Sequence, residues 1–254
     1  MIISVGDVKF VYRRHANLKD DICEVLQGEI LAILGVNGSG KSTLLKYMNH
    51  FLEGRKRCVL VNKEEYAFTH RIEMARDFGY VPHRGHDEMT LFDAVLFGRK
   101  PWLGWEAVKE DLLVVERITH LLGLDSLALR PISTLSAGEA QKLLIARALA
   151  REAEVLLLDE PTSSLDVKNQ VEIMTVLKRV VREYKLVAAV SIHDLNLALR
   201  FADRFLMIKD GSIYAITETN GVSPDLIREV CGIDVLLGEI GGWPVAVPAY
   251  ESTT

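Results

Sequence analysis

The sequence predicts an α/β protein with an antiparallel β-element at its N-terminus and a helical block inserted into the main sheet. Three observations predict it. Residues 30–34, 155–158 and 186–192 are short apolar runs of the kind that strands buried on both faces require. Each leads through a polar or glycine-rich turn into a helix start. Between residues 90 and 150 the alternation stops, and helical patterns follow one another without an intervening strand.

The elements follow in order. Val8, Phe10 and Tyr12 alternate as in a half-buried strand, and residues 20–26 read as its antiparallel neighbour. Residues 30–34 form a buried strand and 42–49 a helix. Gly54 and the cluster Arg55, Lys56 and Arg57 make a solvated turn before a short strand at 58–61. A short helix at 70–76 and a strand at 78–81, stopped by Pro82, come next. Thr90 with Asp93 caps a helix that ends at Gly98. The loop 99–105, with Trp102 and Trp105, fits either a docking surface or the block's own small core. A second helix over 106–122 has Val108, Leu112, Val115, Thr119 and Leu122 on one stripe, with Gly123 as its stop.

Leu135 to Glu139 leads into a helix over 140–150, and residues 155–158 are a strand ended by Asp159 and Glu160. Ser164, Leu165 and Asp166 cap a helix to about residue 183, with Val167, Val171, Met174, Leu177 and Val181 inward. The strand 186–192 ends at His193, and Asp194 caps the next helix. A hairpin at 205–216, a helix between Ser223 and Gly232, a closing β-pair around Gly241 and Gly242, and a loose tail at 251–254 complete the chain.

Composition narrows the function classes. The 254 residues suffice for one large domain or two small ones, and 49% hydrophobic with 26% charged residues is ordinary for a soluble globular protein. No apolar run is long enough to span a bilayer, and the N-terminus lacks the features of a secretion signal. Cys23, Cys58 and Cys231 are isolated, which fits reduced thiols better than a disulfide frame or a metal site. A formal charge of −5 gives no general attraction to nucleic acid or anionic lipid.

The chemistry gathers at strand tips. Gly35-Val36-Asn37-Gly38-Ser39-Gly40-Lys41-Ser42 has the spacing G-x-x-x-x-G-K-S between a strand and a helix, where backbone N–H groups cradle phosphates. Lys41 is then placed for the β- and γ-phosphates and the Ser42 hydroxyl for Mg²⁺. Asp159, at the tip of another apolar strand, suits the same cation, and Glu160 can polarise a water. His193 ends a third strand; a lone strand-end histidine is more often packed or solvated, but beside strand tips that carry nucleotide chemistry a catalytic role fits. Ser136 and Gly138 at a helix start form a second anion site, although capping alone would also account for them. Tyr12 fits adenine stacking or plain packing at the sheet edge. The loop 82–86 leaves a strand at the end where ligands of open α/β sheets collect.

Together these residues resemble the ATP-binding cassette of ABC transporters, over nearly the whole chain. Residues 35–42 look like its Walker A motif, with Thr43 following, and 155–159 like Walker B. Leu135, Ser136, Ala137, Gly138 and Glu139 look like the signature motif, Glu160 like the catalytic glutamate, and 164–166 like the D-loop with Asp166. His193 matches the switch histidine and Tyr12 the adenine-stacking aromatic. The runs 95–101, 194–198 and 239–245 look most like the ATPases of iron-siderophore, haem and vitamin B12 importers.

The resemblance implies a P-loop NTPase (RecA-like) core built from 1–82 and 150–254 together with the β-subdomain, and a helical subdomain over 83–149. It further implies an ATPase using ATP and Mg²⁺, peripheral on the cytoplasmic face of the membrane. Its partners would be a second copy of itself, permease subunits and, indirectly, a substrate-binding protein. Two copies head to tail would sandwich each ATP between one Walker A loop and the other copy's Ser136 and Gly138.

Two departures from the pattern stand out. His83 follows Tyr80-Val81-Pro82 where the family usually has Gln, which predicts slower or more pH-dependent turnover if His83 reaches Mg²⁺ or the water. Ala137 stands where Gly is commonest in the signature. The alternatives are a permease-free ABC ATPase of the iron–sulfur assembly type and a nucleotide-binding module weakened by His83.

Overall fold

A computed structural model describes residues 2–5, 8–11, 22–48, 59–61, 64–65, 78–81, 89–100 and 107–249. Its framework is a six-stranded sheet in the order β11-β10-β4-β9-β8-β7. These strands are β4 (Ile30–Leu34), β7 (Phe78–Val81), β8 (Val155–Asp159), β9 (Val187–Ser191), β10 (Arg204–Lys209) and β11 (Ser212–Glu218). All pair in parallel except β10 with β11, the predicted hairpin.

Parallel pairing needs both faces covered, and every residue of β4, β8 and β9 is buried. Ile30, Ala32 and Leu34 face one apolar layer, while Leu31 and Ile33 face the other. The second layer is closed by Leu44, Leu45 and Met48 of α1 (Lys41–Met48). The first is closed by α5 (Val167–Glu183), α6 (Leu195–Phe201) and α7 (Pro224–Cys231).

Between β7 and β8 lies the helical block: α2 (Leu91–Gly98), α3 (Lys109–Leu121) and α4 (Ala137–Leu149). Thr90 caps α2 by accepting from the Asp93 N–H at 3.2 Å, as the sequence suggested. Buried Arg99 then staples the block, donating to Asp111 Oδ1 at 2.9 Å, Glu152 Oε2 at 2.7 Å and the Ala150 carbonyl at 3.1 Å.

A second sheet, in the order β3-β1-β2-β5-β6, gathers β1 (Ile2–Val5), β2 (Val8–Val11), β3 (Ile22–Val25), β5 (Val59–Val61) and β6 (Glu64–Glu65). Here the expected pairing of 20–26 with 8–12 is corrected. β2 has β1 on one edge and β5 on the other, so no edge is left for β3, which pairs with β1 in parallel. The strand β1 was not anticipated. A separate hairpin, β12 (Val235–Ile240) with β13 (Trp243–Pro248), rests on α6, where Asn196 exchanges hydrogen bonds with the backbone of Ala246.

Two predicted stripes are also corrected. On α3 the predicted Val115, Thr119 and Leu122 are buried, but Val108 and Leu112 are exposed, and Asp111, Val114 and Ile118 complete the buried face in their place. On α5, burial fades from Met174 through half-buried Val171 to exposed Val167. The signature helix begins at Ala137 rather than 140. Tyr12, His83, the basic cluster 55–57, the helix expected at 70–76, Trp102, Trp105 and the tail lie outside the described residues.

Candidate functional site

The parallel strands end along one edge, and register decides what meets there. β4 pairs Ile33 with Ser191, and β8 pairs Asp159 with the same Ser191. The loop after β4, the carboxylate ending β8 and the serine ending β9 are therefore brought side by side.

The loop 35–42 is a built cradle. A Cβ on Gly35 would stand 2.5 Å from both the Ile208 carbonyl and Ser39 Oγ, so only glycine fits. Lys41 Nζ donates to the carbonyls of Gly35 at 2.8 Å and Val36 at 3.1 Å, within the loop itself. Burial lowers the Lys41 pKa, and the neighbouring acidic groups Glu160, Cys231 and Asp159 oppose that shift in decreasing order. Ser39 is 4% exposed and its hydroxyl has no hydrogen-bond partner among the described residues. An orphaned buried hydroxyl is costly unless a bound group satisfies it, and a phosphate oxygen suits it. Asn37 and Gly38 are exposed in the turn, and Thr43 is exposed on α1.

Ser42 Oγ donates to Asp159 Oδ1 at 2.9 Å, so the hydroxyl and carboxylate proposed for the cation already touch. Ser191 Oγ donates to the same Asp159 oxygen at 2.9 Å and accepts the Glu160 N–H at 2.8 Å. Ser191 is fully buried. Sequence reasoning missed it, because its importance comes from register and not from a motif. Glu160 has φ of +51°, a left-handed conformation that a non-glycine residue holds only under restraint, and the Ser191 bond supplies restraint. His193 Nε2 stands 2.5 Å from Glu160 Oε1. Both are partly exposed, at 36% and 28% of the side chain, so a water can reach them.

The remaining candidates form a second cluster. Ser136 caps α4, accepting the Glu139 N–H at 3.4 Å, and its own N–H and hydroxyl both donate to Glu139 Oε2 at 2.7 Å. Those bonds hold the Glu139 carboxyl below the usual carboxylate range. Ser136 and Ala137 are exposed and Gly138 is buried. Asp166 caps α5, accepting the Asn169 N–H at 2.8 Å. No hydrogen bond or ion pair joins Ser136, Ala137, Gly138, Glu139 or Asp166 to the loop 35–42 among the described residues. Among the described residues, the helix starts at Lys41 and Ala137 are thus not joined by a hydrogen bond or ion pair.

Residues 18–163 match the family described as ABC transporter. An uncharacterised ABC transporter ATP-binding protein of Methanocaldococcus jannaschii is 44% identical, over 98% of each chain. The petrobactin import ATP-binding protein of Bacillus anthracis is 30% identical, over 92% of this chain and 88% of that one. Among solved structures, a putative metal-chelate type ABC transporter in an inward-facing conformation superposes with a TM-score of 0.80 at 25% identity, over 96% of each chain. A dimeric ATP-binding cassette in a post-hydrolysis state with ADP and Pi superposes at 0.68, also at 25% identity, over 87% of this chain and 99% of that one.

Proposed function

The chain belongs to the ABC transporter family, and from that premise we propose that it is the ATP-hydrolysing subunit of a metal-chelate importer, acting as an ATP-sandwiched homodimer. One observation carries the reading: Ser42, Asp159, Glu160 and His193 converge in a hydrogen-bonded set on the sheet edge that holds the phosphate loop. The similarity to a petrobactin importer's ATPase and to a metal-chelate type transporter supports the cargo class, a chelated metal such as a ferric siderophore or a cobalamin.

Each side chain has a part in the chemistry. The backbone N–H groups of the loop, with Ser39 Oγ, hold the phosphates of ATP. Lys41 leaves the loop carbonyls to meet the β- and γ-phosphates. Ser42 and Asp159 offer a hydroxyl and a carboxylate oxygen, a hard donor set that would hold Mg²⁺. Bound there, Mg²⁺ supplies charge neutralisation of the phosphates. Glu160 takes the proton from the attacking water, with His193 orienting its carboxylate and reaching toward the γ-phosphate. Tyr12 and His83 lie outside the described residues; in this reading Tyr12 would stack on adenine and His83 would take the part of the usual Gln.

Ser136, Ala137, Gly138, Glu139 and Asp166 complete the site of the second copy. Among the described residues no hydrogen bond or ion pair joins them to the phosphate loop of their own chain, and a head-to-tail partner would bring them to the γ-phosphate. Hydrolysis removes the anion that joins the two copies, and the helical block over 83–149 passes that parting to permease subunits. No helix of the described residues is long and apolar enough to cross a membrane; as an importer's ATPase the chain would sit peripherally on the cytoplasmic face.

The test is the size of Glu160→Gln with ATP and Mg²⁺. A nucleotide-dependent dimer is expected where the wild type, turning over, stays mostly monomeric; monomer alone under saturating ATP counts against the sandwich.

A further inference from the structure

Gly138 is buried at the start of α4 for a reason inside its own chain. A Cβ built on it would lie 3.0 Å from Asn169 Oδ1 and 3.2 Å from Asn169 Cγ, tighter than side chains ordinarily pack. Asn169 cannot readily withdraw, because its N–H donates to Asp166 Oδ1 at 2.8 Å and its Nδ2 to Asp166 Oδ2 at 3.0 Å. One turn further along both helices, Lys142 Nζ meets Glu172 Oε1 at 2.5 Å. The contacts advance together, from Gly138 and Asn169 to Lys142 and Glu172, so α4 and α5 lie alongside with both N-termini at one end. Next to Asn169, Gln170 Nε2 donates to the carbonyls of Thr162 at 3.2 Å and Leu165 at 3.0 Å, tying the segment after Glu160 to the same helical turn.

We propose that Asn169 is a positioning residue: its side chain seats Gly138 and so fixes where the N-terminus of α4 meets the partner's nucleotide. The proposal rests on the ATP-sandwich reading above. Through Asp166 and Gln170, the first turn of α5 then joins the Glu160 of one site to the Ser136 and Gly138 that serve the other. A shift of Asn169 moves both ends together. The residue touches no nucleotide, so it acts on turnover and leaves binding at Lys41 alone.

The test is a double-mutant cycle on the full chain with Gly138→Ala and Asn169→Ala. Gly138→Ala should lower the maximal ATP turnover by roughly tenfold or more, as misplacement of a positioning element does. Asn169→Ala keeps the backbone cap on Asp166 but leaves only its Cβ, 3.7 Å from the new methyl, an ordinary contact. The double variant should therefore regain turnover over Gly138→Ala by roughly threefold or more, a non-additive coupling. Affinity for fluorescent ADP at the loop 35–42 should be the same in all four chains, which a general loss of structure would not allow.

A double variant no more active than Gly138→Ala overturns the proposal, because the glycine would then be required by something other than Asn169. Asn169→Gln, which keeps Gly138 and pushes a longer side chain toward it, should also slow turnover; an unchanged rate overturns the proposal too. Should the wild type hydrolyse no ATP, the functional reading fails, and the seating is still read from denaturation midpoints. Gly138→Ala must then lower the midpoint and Asn169→Ala restore it, and additive effects overturn the seating.

Discussion

His193 Nε2 stands 2.5 Å from Glu160 Oε1, closing a chain of hydrogen bonds that starts at Ser42 and passes through Asp159 and Ser191. With the proton on Nε2, His193 donates to the carboxylate and holds it toward the sheet edge. His193→Ala should leave nucleotide binding at the loop intact and lower maximal turnover on the order of 100-fold, the scale of a lost acid–base partner. Steady-state phosphate release measures it. Turnover within about twofold of wild type would remove His193 from the mechanism.

Ser191 offers the sharper test of the network. Its hydroxyl bonds both Asp159 and the Glu160 backbone. Ser191→Ala removes a donor from the carboxylate and leaves the Glu160 N–H without its partner. The expected stability loss is about 1–3 kcal/mol, as for an unsatisfied buried polar group. Turnover should fall further than ATP affinity, because the displaced groups are Glu160 and Asp159 rather than the loop. Denaturation with parallel kinetics checks both, and an unaltered maximal rate would show that Glu160 holds its place without Ser191.

What sequence could and could not reveal follows the same division. The loop 35–42, Asp159, Glu160 and His193 are legible because strand-end position and residue type together state their chemistry. Ser191 is not legible, since its partner Asp159 lies 32 residues away and only the β8–β9 register makes them neighbours. Asn169 is hidden for the same reason: helical spacing explains its bond to Asp166, but nothing local announces Gly138. The stripe on α3 holds at Val115, Thr119 and Leu122 but fails in the first turns, where Asp111, a polar residue, takes a buried position opposite Arg99 and Val108 and Leu112 face outward. Apolar counting alone cannot anticipate a buried ion pair. β3 was assigned the wrong partner because alternation identifies strands but not which edges are free.

The left-handed backbone at Glu160 predicts an opposition between activity and stability. At φ of +51° an L side chain carries a conformational cost of roughly 1–2 kcal/mol that glycine avoids. Glycine's greater unfolded-state freedom takes back roughly 0.5–1 kcal/mol. Glu160→Gly and Glu160→Ala should both lack turnover, with the glycine variant the more stable by about 1 kcal/mol or less. Paired denaturation curves measure the difference. An alanine variant at least as stable as the glycine one would show that no strain is stored at this position.

Lys41 carries a cost of a different kind, and pH exposes it. Burial lowers its pKa in the folded chain, so at neutral pH the folded state holds a charge less comfortably than the unfolded state does. Below the folded pKa both states bind the proton, and the penalty is fully present. Between the folded and the ordinary lysine value the unfolded chain binds more protons, so stability rises with pH. Above the ordinary value both states are neutral and the penalty is gone. Lys41→Met lacks this titration. The stability of the wild type relative to Lys41→Met should therefore increase as pH climbs from neutrality toward the ordinary lysine range. Measuring both chains at each pH on a Cys231→Ser background removes the coupled thiol, which titrates in the same range, and cancels the groups that the substitution leaves unperturbed. A difference that stays flat, or that falls, would mean that the Gly35 and Val36 carbonyls solvate the ammonium as well as water does, and that the loop binds its lysine without penalty. A rising difference would mean that the phosphate-binding charge is held at the expense of the fold, to be neutralised when a triphosphate arrives.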